Sequence, residues 1–148
     1  MGLIDFVMSA GQELFGESEK EASRRSAALS DFVNRMKLGV EDLRIEVSED
    51  TATVHGKAQS QAVKEKVVLA VGNTEGIARV DDRISVVEPE PEATYYTVVK
   101  GDTLSKIAKE HYGNAMKYPV IFTANEPMLK DPDKIYPGQV LRIPPLNE

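Results

Sequence analysis

The chain has no cysteine among its 148 residues and only two histidines, His55 and His111. The lack of cysteine excludes disulfide bonds, zinc–thiolate centres and cysteine nucleophiles. Neither histidine has a plausible nucleophile beside it in the sequence. Phosphate-binding loops, dinucleotide fingerprints, HExxH motifs and EF-hand patterns are also missing. We therefore expect a protein that is not an enzyme.

Basic residues are in the minority, since 18 Lys and Arg face 24 Asp and Glu and leave a net charge of −6. General binding to nucleic acid requires a basic face, so we expect no nucleic-acid partner. The acidic balance also weakens a case for electrostatic attachment to anionic lipids, which stays as a third functional alternative.

Long apolar runs are missing as well, and none approaches the length that crosses a bilayer. The first residues, Met1–Met8, carry no basic group and are interrupted by Asp5. They do not resemble a signal peptide. We therefore expect a cytoplasmic protein that does not insert into membranes.

The start of the chain nevertheless has an apolar pattern at helical spacing, formed by Leu3, Phe6, Val7, Ala10 and Leu14. It predicts an amphipathic helix over residues 2–15, inside an N-terminal segment 1–21. A helix lying on a membrane surface normally carries Lys or Arg on its polar face. This one carries Asp5 and Glu13, so packing against the rest of the protein is favoured.

Residues 22–88 show a second pattern, in the order helix, strand, strand, helix, strand. The first helix is indicated by Leu29, Phe32, Val33 and Met36, and the second lies in Ala62–Val71. Gly56 follows the second strand, and Gly76, Ile77 and Val80 precede the last one. This arrangement resembles a BON domain. A linker of alternating Pro and Glu follows at residues 89–94.

Residues 95–148 form a third unit, which begins with a β-branched and aromatic strand, Tyr95–Val99. The corner Gly101–Leu104 follows, with Asp102 predicted to cap the next helix. A second short helix is predicted from about Pro119 to Asn125, and the unit closes with a Pro-Gly turn and a strand in Ile135–Pro144. These segments, with Tyr112-Gly113-Asn114, resemble a LysM domain of βααβ order.

The LysM resemblance implies binding of N-acetylglucosamine polymers in a groove between Gly101–Leu104 and Asn125–Pro137. Binding of peptidoglycan fragments is therefore the alternative function. It requires export, which the N-terminus does not predict. The LysM unit could instead bind a protein partner.

The complete order is an α+β chain with an N-terminal helix, an αββαβ BON domain, a linker and a LysM domain. It resembles the family of bacterial potassium-binding proteins, and Ala70–Asn73 and Asp133–Pro144 carry the closer likeness. The resemblance implies a monomer that binds K⁺, changes shape when the ion binds, and senses or buffers potassium.

The chemistry of K⁺ suits a ring of neutral backbone carbonyls, whereas carboxylate cages favour Ca²⁺ or Mg²⁺. Helix C-termini offer unpaired carbonyls, and the chain has two such predicted ends, near Gly11 and near Gly72. From local sequence alone, both glycines could be ordinary helix caps. The resemblance implies that the main-chain oxygens of six residues bind the ion: Val7, Ala10, Glu13, Gly72, Thr74 and Ile77.

Overall fold

The computed structural model describes residues 2–6 and 22–146. These residues form two small α+β units joined in sequence. The elements are β1 (Gly2–Asp5), α1 (Ala22–Arg35), β2 (Glu41–Ser48), β3 (Thr51–Ser60), α2 (Gln61–Gly72), β4 (Arg79–Glu88), β5 (Thr94–Thr97), α3 (Leu104–Tyr112), a 3₁₀ turn (Ala115–Lys117), α4 (Tyr118–Ala124) and β6 (Val140–Ile143).

The first unit is a four-stranded sheet in the order β1-β4-β3-β2. The β2 and β3 strands form the predicted antiparallel hairpin, and β3 runs parallel to β4 because α2 crosses between them. The predicted order of helix, strand, strand, helix, strand is therefore present, with one extra strand at the edge of the sheet.

That extra strand corrects the predicted N-terminal helix for the residues that the structure describes. Residues 2–5 pair antiparallel with β4, with Leu3 opposite Asp81 and Ile4 opposite Val80. Leu3 is 60% exposed, whereas Phe6 is buried. Burial thus follows the two-residue period of a strand. The remainder of the predicted helix, residues 7–15, lies outside the described residues.

The core of the first unit lies between the sheet and its two helices. Leu29 and Val33 of α1 are buried as predicted. Ser60 caps α2 by accepting a hydrogen bond from the Val63 N–H at 3.2 Å, also as predicted. The α2 helix is buried well beyond one face, because the second unit covers its far side. Its buried residues are Gln61, Glu65, Val67, Val68, Leu69, Ala70, Val71 and Gly72.

The second unit pairs β5 antiparallel with β6 and packs α3 and α4 beside them, giving the predicted βααβ order. Its core consists of Val98, Leu104, Ile107, Ala108, Ile121, Leu129, Leu141 and Ile143. The prediction that Asp102 caps α3 is wrong. Thr103 is the cap, since its side chain accepts from the Lys106 N–H at 3.1 Å. The Asp102 carboxylate instead accepts from the Val99 N–H and the Tyr96 hydroxyl.

Candidate functional site

The segment after α2 folds back on the end of that helix. The Asn73 N–H donates to the Leu69 carbonyl at 2.8 Å, and the Thr74 hydroxyl donates to the Ala70 carbonyl at 3.1 Å. The Ile77 N–H then donates to the Thr74 carbonyl at 3.1 Å, which closes the turn. Gly76, at φ 98°, supplies the left-handed conformation that this turn requires. We call residues 72–77 the ion loop, after the predicted role of its carbonyls.

Phe6 joins the N-terminal segment to this loop. Its N–H donates to the Ala78 carbonyl at 2.8 Å, which extends the β1–β4 pairing by one residue. Its ring covers Gly72 so closely that a β-carbon built there would lie 2.1 Å from the ring atom Cζ. Gly72 is the last residue of α2 and does not have a positive φ. Glycine is needed here because Phe6 occupies the space of a side chain, not because the helix needs a left-handed cap.

The predicted ion ligands fall into two groups. Gly72, Thr74 and Ile77 lie together in the ion loop, where all three are buried. The Gly72 carbonyl is at a helix end, where carbonyls lack intrahelical partners. The other predicted ligands lie outside the described residues: Val7, Ala10 and Glu13. The structure does place Phe6, the neighbour of Val7 in sequence, directly against Gly72.

Side chains of the usual metal-binding types do not form a cluster in the described ranges. Within residues 2–6 and 22–146, no group of three or more His, Asp or Glu could hold a metal ion. His55 lies 3.5 Å from Glu46 on a neighbouring strand, and His111 packs edge-on against Tyr96 with ring centres 5.3 Å apart.

No helix between residues 22 and 146 has the length and apolar character needed to span a bilayer.

Asn73, between two of the predicted ligands, makes the contact between the ion loop and the second unit. Its Nδ2 donates to the Val140 carbonyl at 2.8 Å, and its Oδ1 accepts from the Val140 N–H at 2.8 Å. Its Nδ2 also lies 3.3 Å from the Met128 sulfur. Asn73 is 6% exposed, so these bonds are shielded from water. The ion loop is thus hydrogen-bonded directly to β6.

A buried ion pair forms a second link between the units. Arg142 donates from Nε to Oε1 of Glu65 at 2.8 Å, and the Glu65 side chain is fully buried. The other carboxylate oxygen accepts from Gln61 Nε2 at 3.0 Å and from the Ala93 N–H at 3.2 Å. The Glu65 carboxylate therefore joins α2, the linker and β6. Burial and the positive charge of Arg142 also lower the pKa of Lys66, the residue that follows Glu65 in the sequence.

Sequence reasoning missed both links. Asn73 is a typical loop residue by composition, and Glu65 stands between Lys64 and Lys66 in α2, as a residue on an exposed helix face would. The pairs are separated by 67 and 77 residues, so no local pattern connects them. One signal was available in α2: the apolar run Val67–Val71 is longer than one buried face of a helix requires.

The loops expected to form a glycan groove are partly engaged in other contacts. In the first, Asp102 binds Val99 and Tyr96, and Lys106 Nζ donates to the Gly101 carbonyl at 3.1 Å. The second loop borders a cleft of about 360 Å³ shared with the first unit. The cleft is lined by Phe32, Ala70, Asn73, Met128, Leu129, Lys130, Asp131, Lys134, Tyr136 and Gln139.

The fold and the two links define a protein made of a BON domain with a LysM domain docked on its second helix. The family model of the BON domain matches residues 20–88, and that of the LysM domain matches residues 96–144. The chain is 47% identical over 151 aligned residues to potassium binding protein Kbp of Escherichia coli O6:H1, covering 97% of this chain and 99% of that protein. The chain belongs to the Kbp family.

Two further relatives match only a short part of the chain. An uncharacterized protein of Deinococcus radiodurans is 53% identical over 51 residues, which are 34% of this chain and 19% of that protein. Esterase Rv1288 of Mycobacterium tuberculosis is 51% identical over 53 residues, which are 36% of this chain and 11% of the esterase. Such short matches carry no statement about the function of the whole chain.

Proposed function

We propose that this protein binds K⁺ through main-chain carbonyls and has no enzymatic activity. The family membership supports K⁺ as the ion, because the full-length relative is a potassium binding protein. The proposed ligands are the main-chain oxygens of Val7, Ala10, Glu13, Gly72, Thr74 and Ile77.

The observation that carries the proposal is the contact between Phe6 and Gly72. A cation held by carbonyls of two segments requires both segments to approach within a few ångströms. Phe6 brings the backbone that leads into Val7 against the end of α2, and its N–H is bonded to Ala78 just beyond the loop. The helix end adds a partial negative charge that favours a cation.

Thermal unfolding in sodium buffer, with K⁺ titrated at constant ionic strength, tests ion binding. A ligand that binds only the folded state stabilises it by RT ln(1 + [L]/Kd), roughly 2.7 kcal/mol at a hundredfold excess over Kd. The midpoint should rise with K⁺ and stay constant when Li⁺ replaces it. Equal unfolding midpoints in Na⁺, K⁺ and Li⁺ would exclude K⁺ as a specific ligand.

We further propose that the protein acts in the cytoplasm, where it senses or buffers potassium through a change in domain packing. The order of the domains along the chain supports this reading. Cell fractionation with an antibody against the native chain tests the location. Recovery outside the cytoplasm would favour the alternative function instead.

That alternative is the binding of N-acetylglucosamine polymers by the LysM domain. The match of the LysM family model to residues 96–144 supports it. Co-sedimentation with insoluble chitin or peptidoglycan tests it, and protein that stays in the supernatant at all polymer concentrations would exclude it.

A further inference from the structure

Phe6 connects the two backbone segments that carry the proposed ion ligands. It precedes Val7 in the sequence, and its ring packs on Gly72. The size of a site formed between two segments depends on what holds them apart. We propose that the Phe6 ring is the spacer that sets this separation, so that the site accepts K⁺ and rejects the smaller Na⁺. Phe6 thus acts as a positioning residue, and this inference rests on the proposed function.

The contact is made by the face of the Phe6 ring. A β-carbon built on Gly72 would lie at nearly equal distances from the ring atoms Cζ, Cε1 and Cε2. Three nearly equal distances place that point over the outer half of the ring face, not beyond a single edge atom. The ring therefore touches the Gly72 backbone directly, with no room for a side chain between them. Because the ring is rigid and close-packed atoms resist further approach, it fixes a minimum separation.

Both sides of this contact are held in place by hydrogen bonds of the main chain. The Phe6 N–H donates to the Ala78 carbonyl at 2.8 Å, and the Ala78 N–H donates to the Asp50 carbonyl at 2.8 Å. The β1 strand that leads to Phe6 is paired with β4. Gly72 is fixed by its place at the end of α2. Since Phe6 is also buried, neither backbone can approach the other unless the ring is displaced.

A fixed separation has a direct consequence for the size of the ion. Na⁺ is smaller than K⁺ and requires shorter distances to the same carbonyl oxygens. Selectivity in carbonyl sites can come from the size of the cavity or from the number and field strength of the carbonyls. The Phe6 spacer favours cavity size here, because contraction around Na⁺ would require the Phe6 backbone to approach Gly72. Main-chain ligands cannot compensate by side-chain rotation, so the spacing of the two backbones decides.

Two substitutions in the full chain change the spacing in opposite directions. Phe6→Leu removes the contacting atoms, because leucine ends at its δ-carbons and lacks Cε1, Cε2 and Cζ. We expect the site to contract and the preference for K⁺ over Na⁺ to fall at least about tenfold, which corresponds to ~1.4 kcal/mol. Gly72→Ala keeps the main-chain carbonyl and adds a methyl group against the ring. We expect it to shift the preference from K⁺ toward the larger Rb⁺ and Cs⁺.

Calorimetric titration with Na⁺, K⁺, Rb⁺ and Cs⁺, at an ionic strength held constant with choline chloride, gives the ratios of the dissociation constants. Loss of folded protein weakens the binding of every cation by the same factor, so a changed ratio separates spacing from stability. The double variant Phe6→Leu with Gly72→Ala should recover part of the native preference, since the methyl group enters the space left by the ring. Phe122→Leu, the same substitution at a partly buried phenylalanine of the LysM core, should leave all ratios unchanged.

A second readout needs no bound ion. The ring current of Phe6 should displace the NMR resonances of the Gly72 α-protons in choline buffer. Phe6→Leu should return these resonances to the ordinary range for glycine, whereas Phe122→Leu should leave them displaced. Ordinary Gly72 resonances in the native chain would show that the ring does not lie on Gly72 and would overturn the inference.

Three results of the titrations would also overturn it. Equal weakening for all four cations in Phe6→Leu, with the native ratios kept, would show that the ring does not set the spacing and would leave K⁺ binding intact. A shift of Phe6→Leu and Gly72→Ala toward ions of the same size would exclude spacing as the cause of selectivity. No binding of any of the four cations by the native chain would overturn the proposed function and the spacer together.

Discussion

The ring of Phe6 lies directly on Gly72, in the space that a side chain of residue 72 would fill. The contact joins the first described segment of the chain to the end of α2, across 66 positions of sequence. It explains why residue 72, in the last turn of α2, has to be a glycine. Because the proposed ion site needs these two segments to lie close together, mutation of either residue tests that requirement.

Gly72→Ala should destabilise the protein by about 1–2 kcal/mol. The β-carbon would lie 2.1 Å from Phe6 Cζ, and forced overpacking of a buried site costs about 1–3 kcal/mol. Against this, alanine favours a helical position by up to about 1 kcal/mol over glycine. Urea denaturation followed by far-UV circular dichroism measures the balance, in sodium buffer so that ion binding does not contribute.

The effect should reverse in a Phe6→Ala background. There the ring is gone, only the helical preference remains, and Gly72→Ala should be neutral or stabilising by up to about 1 kcal/mol. An identical effect of Gly72→Ala in both backgrounds would show that the Phe6 ring is not what requires glycine.

Loss of one member of the Glu65–Arg142 pair should be far more harmful than replacement of both. Among the described residues, Arg142→Met leaves the fully buried Glu65 carboxylate with Gln61 and the Ala93 N–H as donors. Removing one partner of a buried ion pair typically costs about 3–5 kcal/mol. Glu65→Gln added to Arg142→Met removes the stranded charge and should recover at least about half of that loss. Denaturation curves at matched pH decide this. Equal stability of the single and double variants would show that the stranded charge is not the cause.

Asn125→Ala should unfold the LysM domain at lower temperature. The Asn125 amide binds both backbone groups of Arg142 and also donates to the Ile121 carbonyl at 2.7 Å. Alanine would leave buried backbone groups of β6 unsatisfied, at about 1–3 kcal/mol for each such group. Calorimetric melting measures the loss, and Asn34→Ala on α1 serves as the exposed control. A melting profile like that of the control would show that water replaces the amide without cost.

The sequence was sufficient for most elements of the fold, because each has a local signature. Alternation at Ile45 and Val47 marks β2, Ser60 marks the start of α2, and Pro119 marks the first turn of α4. These signals depend only on neighbours within one or two turns, which a single sequence contains.

The failures have a common physical cause. The apolar residues of Leu3–Phe6 fit both a helical and a strand pattern. A strand forms because it pairs with the edge of β4, which lies some 75 residues later in the sequence. Asp102 is a good helix cap by type, but the Tyr96 hydroxyl and the Val99 N–H compete for the same carboxylate. The turn after α2 follows from the local sequence, whereas its hydrogen bonds to Val140 depend on a domain contact that no local pattern encodes.

The Tyr96–Asp102 hydrogen bond should make the protein less stable above pH 10. The hydroxyl donates to Asp102 Oδ2 at 2.6 Å, and this bond raises the pKa of Tyr96 from its ordinary value of 10.0 to about 12. Between these two pKa values, the unfolded chain releases the Tyr96 hydroxyl proton while the folded chain retains it. The stabilisation is therefore complete below about pH 10 and is lost as the pH rises toward 12.

Tyr96→Phe should flatten the decline in stability between pH 10 and 12, the interval set by the two pKa values. Asp102→Asn should do the same while keeping the hydroxyl, because the negative charge that favours the protonated phenol is gone. Part of the decline should persist in both variants, since burial also raises the pKa of Tyr136. Urea denaturation at a series of pH values measures the slopes. Slopes in both variants equal to that of the native chain would show that the Tyr96 proton is not linked to folding.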